Sequence, residues 1–252
     1  MNTILNAVIP EDAIGVWWLG QSGFIMKNSK NVTVCVDPYL SDSAGRRKES
    51  SKRMVPVPIE PEDLVADVFC CTHDHTDHFD PETVSRYAAR GRTVFVGPRS
   101  VCRHFEELGI PADQTVLINA GDEKEIEGIK VRGTFALATD YDSLDGIGFL
   151  YTFGNGKKIC VSGDTSYANL ICGVARYRPD LYCVVINGGY GNLDVHEAAI
   201  VTSAIEPKTV VPTHFGMFPG NTVDPNTFPR ALEAIACDVS CRIPRVLEMF
   251  LV

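Results

Sequence analysis

Three histidines and two aspartates stand within six residues, His73-Asp74-His75-Thr76-Asp77-His78, directly behind the apolar run Val68-Phe69-Cys70-Cys71. On an α-helix His73 and His75 would point to opposite sides, because two residues turn the chain by about 200°. A loop can converge them. The stretch therefore reads as a metal cradle at the mouth of a buried strand, the place where α/β sheets put their chemistry.

The same grammar recurs along the chain. Ile14 to Leu19 and Phe24 to Met26 flank Gly20-Gln21-Ser22-Gly23, a hairpin pattern with a glycine turn. Val32 to Val36 is a strand that breaks at Asp37-Pro38. Asp37 is either a turn residue before proline or an acid that holds a ligand imidazole by its second nitrogen. Pro81 to Arg90 reads as a helix capped by Asp80 and stopped at Gly91, and Pro98 to Leu108 as another, with His104 an ordinary surface or packing residue. Thr93 to Val96, Thr115 to Ile118 and Ile129 to Leu137 are strand-like, with Gly121-Asp122-Glu123 as a turn.

Asp140, Asp142 and Asp145 follow in one loop, as turn formers or as the completion of a metal site. Phe149 to Phe153 joins Ile159 to Val161 through Asn155-Gly156, and that strand runs into Gly163-Asp164. Cys183 to Ile186 ends at Asn187-Gly188-Gly189, where glycines admit a ligand and Asn187 is a candidate substrate contact. Asp194 to Ile205 is helical, with His196 capping or exposed in its first turn. Thr209 to Pro212 delivers His214, which is either a core histidine or a further ligand. A helix from Pro225 to Ala236 and a strand from Val246 to Leu251 close the chain.

Composition narrows the function. The 252 residues, 45 % of them hydrophobic, suit a single compact domain over 1–252. Against 23 basic side chains stand 32 acidic ones, a net charge of −9, which opposes diffuse attraction to nucleic acid or an anionic membrane. An anionic substrate has to be met locally. Arg46, Arg47, Lys48, Lys52 and Arg53 cluster in the loop from Ser41 to Pro61, either a solvated face or a lid that captures phosphate or carboxylate.

Nine cysteines sit mainly in apolar runs without paired CxxC spacing, as expected of buried free thiols in a reducing cytoplasm. No apolar run reaches about 18 residues, and no basic leader precedes an apolar core, so neither export nor membrane anchoring is expected. A homo-oligomer is admissible.

Asp37, His73 to His78, Asp140, Asp164 and His214 all stand where an apolar strand stops. His73, His75 and a carboxylate can hold one divalent ion, and Asp77, His78 and His214 a second, with Asp164 bridging. Two cations lower the pKa of a shared water from about 15.7 towards 7, which makes hydroxide available at neutral pH. Asp77, as ligand and proton carrier, and His214 are the candidate catalytic groups. No Gly-x-Ser-x-Gly elbow competes.

At His73, His75, Asp77 and His78 the sequence resembles the metallo-β-lactamase superfamily, marked by His-x-His-x-Asp-His. The likeness extends to Trp18-Leu19-Gly20-Gln21-Ser22-Gly23, Gly163-Asp164-Thr165 and Val211-Pro212-Thr213-His214. It implies a four-layer αββα sandwich, an α/β fold with a dinuclear site at one edge of its two sheets. Within the superfamily the chain is similar to the L-ascorbate-6-phosphate lactonase group, which implies manganese and a phosphorylated sugar lactone. It departs from many members in having no histidine between Ala138 and Gly146, where Asp140 is the substitute ligand. An oxygen-richer site favours manganese or iron over zinc.

The expectation is a metal-dependent hydrolase with up to two Mn or Zn ions, acting on a small anionic ester and using Arg46, Arg47 and Asn187 for substrate. A phosphodiesterase on a small nucleotide and a binding module that has lost an ion are the alternatives. An iron redox protein would place an acid where His75 stands.

Overall fold

Successive side chains of a strand face opposite ways, and here both sets are apolar. In the computed structural model, which describes residues 1–138 and 143–252, Trp17, Leu19, Ile25, Cys35, Phe69 and Phe95 enter one core. Their neighbours Val16, Trp18, Phe24, Val34, Val68 and Val96 enter another. A strand with two apolar faces has to lie between two layers.

The first sheet contains β1 (Gly15–Gly20), β2 (Gly23–Lys27), β3 (Thr33–Val36), β4 (Val68–Cys70), β5 (Val94–Gly97) and β6 (Thr115–Leu117). The second contains β7 (Glu123–Ile126), β8 (Ile129–Phe135), β9 (Ile147–Thr152), β10 (Lys158–Val161), β11 (Leu181–Val185), β12 (Thr209–Thr213) and β13 (Ser240–Cys241). The last strand, β14 (Phe250–Leu251), returns to the first sheet beside β1. The sheet orders are β14-β1-β2-β3-β4-β5-β6 and β13-β12-β11-β10-β9-β8-β7.

The helices are α1 (Asn2–Leu5), α2 (Ser43–Arg47), α3 (Pro81–Arg86), α4 (Arg99–Glu107), α5 (Val195–Ile205) and α6 (Thr227–Ala234). Val84 of α3 and Val101 and Phe105 of α4 cover the outer face of the first sheet. Ala198, Val201 and Ile205 of α5, with Phe228 and Leu232 of α6, cover the second. The result is the expected αββα sandwich. Strands β3 to β6 run parallel, as do β10 to β13, so their carboxyl ends gather along common edges. Asp37, Thr72, Asp164, Asn187 and His214 all follow such ends.

Several elements differ from the sequence expectation, among them α2, which forms within the expected loop from Ser41 to Pro61. The helix from Pro81 stops at Arg86, because Tyr87 adopts an extended conformation and buries its ring. Its hydroxyl meets the backbone N and O of Ala66, each at 3.0 Å. The expected turn at Gly121-Asp122-Glu123 is kept at Gly121, but Glu123 already begins a strand, Glu123–Ile126. Its first three residues are exposed on a sheet edge, where alternation of apolar and polar residues is not required, and Glu123 pairs with Arg132 at 3.0 Å. The closing strand shrinks to two residues, leaving Val246 with a lone bridge to Trp18. Among the described residues no helix is long and apolar enough to cross a membrane, and all nine cysteines are free.

Asp80 joins local helix chemistry to the wall of the molecule that carries the basic residues. It accepts from the N–H of Glu82 at 3.1 Å as the cap of α3, and from Thr83 Oγ1 at 2.5 Å. It also accepts from Ser43 Oγ at 2.8 Å, which ties α2 to α3. Asp80→Ala strands these donors, and a loss of about 2 kcal/mol is expected. Urea denaturation checks it: an unchanged midpoint would mean that the cap contributes nothing.

Candidate metal centre

The loop after β4 is shaped by an acid that reaches it from β3. Asp37 is fully buried with a left-handed backbone (φ 46°), and its N–H donates to the carbonyl of Cys70 at 2.9 Å. Its Oδ1 accepts from the N–H of Thr72 and its Oδ2 from Thr72 Oγ1, both at 2.7 Å. The same Oδ2 lies 2.7 Å from His78 Nδ1. An acid on one ring nitrogen fixes which nitrogen is left to act. Here it is Nε2, buried without a hydrogen-bond partner and 3.2 Å from Asp164 Oδ1, which also lacks one.

Asp164 arrives from β10 through Gly163, whose φ of 64° and whose approach to the Ile147 carbonyl leave no room for a Cβ. Asn192 donates to Asp164 Oδ2 at 2.8 Å and accepts from the N–H of Thr165 at 2.9 Å. His214 leaves β12 with φ 65°, and its N–H donates to the carbonyl of Gln21 at 3.0 Å. His73 Nε2 and His75 Nδ1 are 3.0 Å apart, two ring nitrogens turned towards one point.

The donor atoms of His73, His75 and Asp164 lie within 4.8 Å of one another, and so do those of Asp77, His78 and His214. The sequence expectation was His73, His75 and a carboxylate, with Asp140 as substitute ligand, for one ion and Asp77, His78 and His214 for a second, with Asp164 bridging; the structure gathers Asp164 with His73 and His75. Buried, convergent imidazoles and carboxylates with orphaned Nε2 and Oδ1 atoms fit divalent cations. Asp140 and Asp142 lie outside the described residues. Asp145 accepts from the N–H and Oγ of Ser100 at 2.8 and 2.7 Å, and so serves the start of α4.

A family model described as the beta-lactamase superfamily domain matches residues 15–214. The chain belongs to the beta-lactamase superfamily. Within it the chain belongs to the family of UPF0173 metal-dependent hydrolases, since one from Thermoplasma acidophilum is 30% identical over 84% of this chain and 87% of its own. Another, from Methanosarcina mazei, is 27% identical over 87% of this chain and 90% of its own. Among solved structures, Igni18, a metallo hydrolase from Ignicoccus hospitalis, superposes with a TM-score of 0.76 at 22% identity. It covers 95% of this chain and 98% of that one. The last likeness concerns the fold.

Charge balances inside this superfamily site. Burial opposes a charged ring at His214, but Asp164 and Asp77 outweigh it and lift the pKa to about 9. Burial likewise disfavours charge on His78, yet Asp164, Asp77 and Asp37 raise its pKa well above the usual value. The acids move the other way. Burial pushes Asp77 up, but His78 and His214 bring it below the ordinary range, and His214 and His78 do the same to Asp164. His73 is held well below the usual imidazole value by burial and by His78.

A cleft of about 290 Å³ opens over the centre, lined by His75, Asp77, Asp164 and His214 below and by Arg47, Lys48, Tyr190 and Asn221 above. Arg47 Nη1 donates to Thr76 Oγ1 at 2.9 Å, and Lys48 Nζ to the Tyr190 hydroxyl at 3.0 Å. Arg46 does not line the cleft; its guanidinium pairs with Glu82. Asn187 also stands behind the lining and donates to Asn221 Oδ1 at 2.5 Å. Arg53 is turned inward, donating to the carbonyl of Tyr39 at 2.8 Å. Gln21 and Asn192 were not singled out in the sequence: a hairpin turn is an ordinary place for a polar residue, and Asn192 carries no spacing signal.

These shifts fix a pH dependence for the metal-free protein. The raised histidines contribute stability that is full below their unfolded pKa of about 6.5 and is lost as pH rises through about 9 at His214. The depressed acids contribute stability that is present above about 4 and is lost as pH falls. His73, kept neutral by burial, works the other way and costs stability as pH falls below about 6.5. Thermal melts after chelation should therefore peak near about pH 6.5 and decline towards about pH 9. Cation uptake at pH 7 should release protons from His78 and His214, read by calorimetry in buffers of different ionisation enthalpy. A melt flat from pH 6 to 9, or uptake without proton release, would contradict the charge arrangement.

Proposed function

We propose that the chain is a metal-dependent hydrolase of small anionic esters, with a phosphorylated sugar lactone as the first-choice substrate. The observation that carries the reading is that Arg47 and Lys48 line the same small cleft as His75, Asp77, Asp164 and His214, members of both donor groups. The volume suits a compact molecule, being at the low end of ligand pockets. In a protein of net charge −9, two cations at a mouth supply local attraction that the surface as a whole does not.

The two groups, His73, His75 and Asp164 with Asp77, His78 and His214, would hold one or two Mn or Zn ions. Bound there, a divalent ion supplies a Lewis acid and an acidified water. The remaining work belongs to the chain. Arg47 meets the substrate's anion with a planar donor face, and Lys48 meets it as a point charge. Asp77, whose carboxylate stays ionised beside His78 and His214, orients the attacking water as a hydrogen-bond acceptor. Asp37 and Asn192 keep His78 and Asp164 aimed while this happens.

Turnover of a phosphorylated lactone against bis-p-nitrophenyl phosphate, with Mn²⁺ and then Zn²⁺, tests the reaction class. Preference for the diester would favour a phosphodiesterase, and turnover of neither would favour a binding module. Asp164→Asn should lower kcat/KM by about 10²- to 10³-fold with the fold retained. Arg47→Ala should raise KM for the phosphorylated substrate about 10-fold, the worth of a charge-assisted hydrogen bond, and leave its dephosphorylated form nearly unchanged. Arg46→Ala should change neither. Equal effects of Arg47→Ala on both substrates would remove the anion-binding role.

A further inference from the structure

Gln21 is a fully buried polar residue at the tip of the β1–β2 hairpin, in the first sheet, and it touches the centre from there. Its carbonyl accepts from two donors, the indole Nε1 of Trp18 and the N–H of His214, both at 3.0 Å. Trp18 in turn stacks on Phe215, with ring centroids 4.8 Å apart. One turn of the first sheet is thereby latched to the end of β12 in the second. The turn is conformationally demanding, with left-handed φ values of 94° at Gly20 and 53° at Gln21. A non-glycine residue held there costs about 1 kcal/mol or more, which the latch has to offset.

The side chain adds a second contact. Gln21 Nε2 donates to Asp77 Oδ2 at 2.7 Å and lies 3.1 and 2.9 Å from Nδ1 and Nε2 of His214. An atom that near to both ring nitrogens cannot sit in the ring plane without colliding with ring carbon. It lies over the ring face, so neither in-plane lone pair of His214 is blocked. Gln21 Oε1 is buried with no hydrogen-bond partner. Leaving an acceptor bare costs about 1–3 kcal/mol, and the opposite amide orientation would set an oxygen against the Asp77 carboxylate.

We infer that Gln21 is a positioning residue that holds Asp77 and His214 in register so that both can grip one cation. Its amide restrains Asp77 through Oδ2 and His214 through the ring face, while its carbonyl fixes the His214 backbone. The role rests on the metal-dependent reading of the centre, but its test does not require turnover. Removing a group that orients a metal ligand lowers affinity by about 10- to 100-fold.

Titration with Mn²⁺ alone, followed by calorimetry and by the Mn²⁺ electron paramagnetic resonance signal, reads the effect. Asp77→Asn identifies the binding step to which Asp77 contributes. Gln21→Met keeps the length of the side chain and removes its donor, and should weaken that same step about 10-fold or more with a melting temperature close to wild type. Gln21→Asn, too short to reach Asp77, should do the same and serves if the Met variant does not fold. Wild-type affinity at that step in the folded variant overturns the role, as does a loss at every step in proportion to lost thermal stability. A wild-type protein that takes up neither Mn²⁺ nor Zn²⁺ overturns the metal reading itself, and the role with it.

Discussion

Two carboxylates, Asp77 and Asp164, face two buried imidazoles, His78 and His214, across 3.2 to 3.8 Å at the edge between two sheets. Charges taken out of water are tolerated only when opposite charge and hydrogen bonds compensate them. That condition organises the surroundings. Asp37 occupies Nδ1 of His78, Asn192 occupies one oxygen of Asp164, and Gln21 occupies one of Asp77. The orphaned atoms, His78 Nε2 and Asp164 Oδ1, are the ones turned to a common space. A cluster so arranged is prepared for a cation, because the entering charge replaces protons that the acids otherwise hold on the histidines.

The sandwich makes this arrangement affordable in terms of backbone. Each central strand is apolar on both faces, so its polar neighbours cannot remain inside the sheets and are delivered where the strands end. Parallel strands end on the same side, and two parallel sets in two facing sheets bring five such ends together. The segment from Ser41 to Arg53 then divides its cations by neighbour. Arg53 supports its own loop, Arg46 pairs with Glu82, and Arg47 and Lys48 are left over the cleft. Charge on the surface thus becomes local attraction at one mouth.

Much of this was legible in the residues. His73, His75, Asp77, His78, Asp164 and His214 were found because each follows an apolar run, and burial on both strand faces produces such runs. The helix start at Pro81 was legible from Asp80, whose side chain meets the backbone donor two residues away, whereas the cap that Asp194 makes to His196 and Glu197 was not singled out. Less was legible where distant groups decide. The α3 helix ends early because Tyr87 finds Ala66, 21 residues before it. The strand Glu123–Ile126 forms because β8 is alongside, while its first three residues are exposed and carry no apolar pattern.

By itself the sequence determined which groups could bind a cation and that several strands must end near one another. Local spacing and hydrophobic patterning encode both, since each depends on residues close along the chain. Only the tertiary structure decided which acid serves which histidine, that Gln21 and Asn192 join the centre, and that Arg47 faces the cleft while Arg46 does not. Those choices are made by side chains 28 to 193 residues apart, whose approach depends on the packing of two sheets and on no periodicity of either segment.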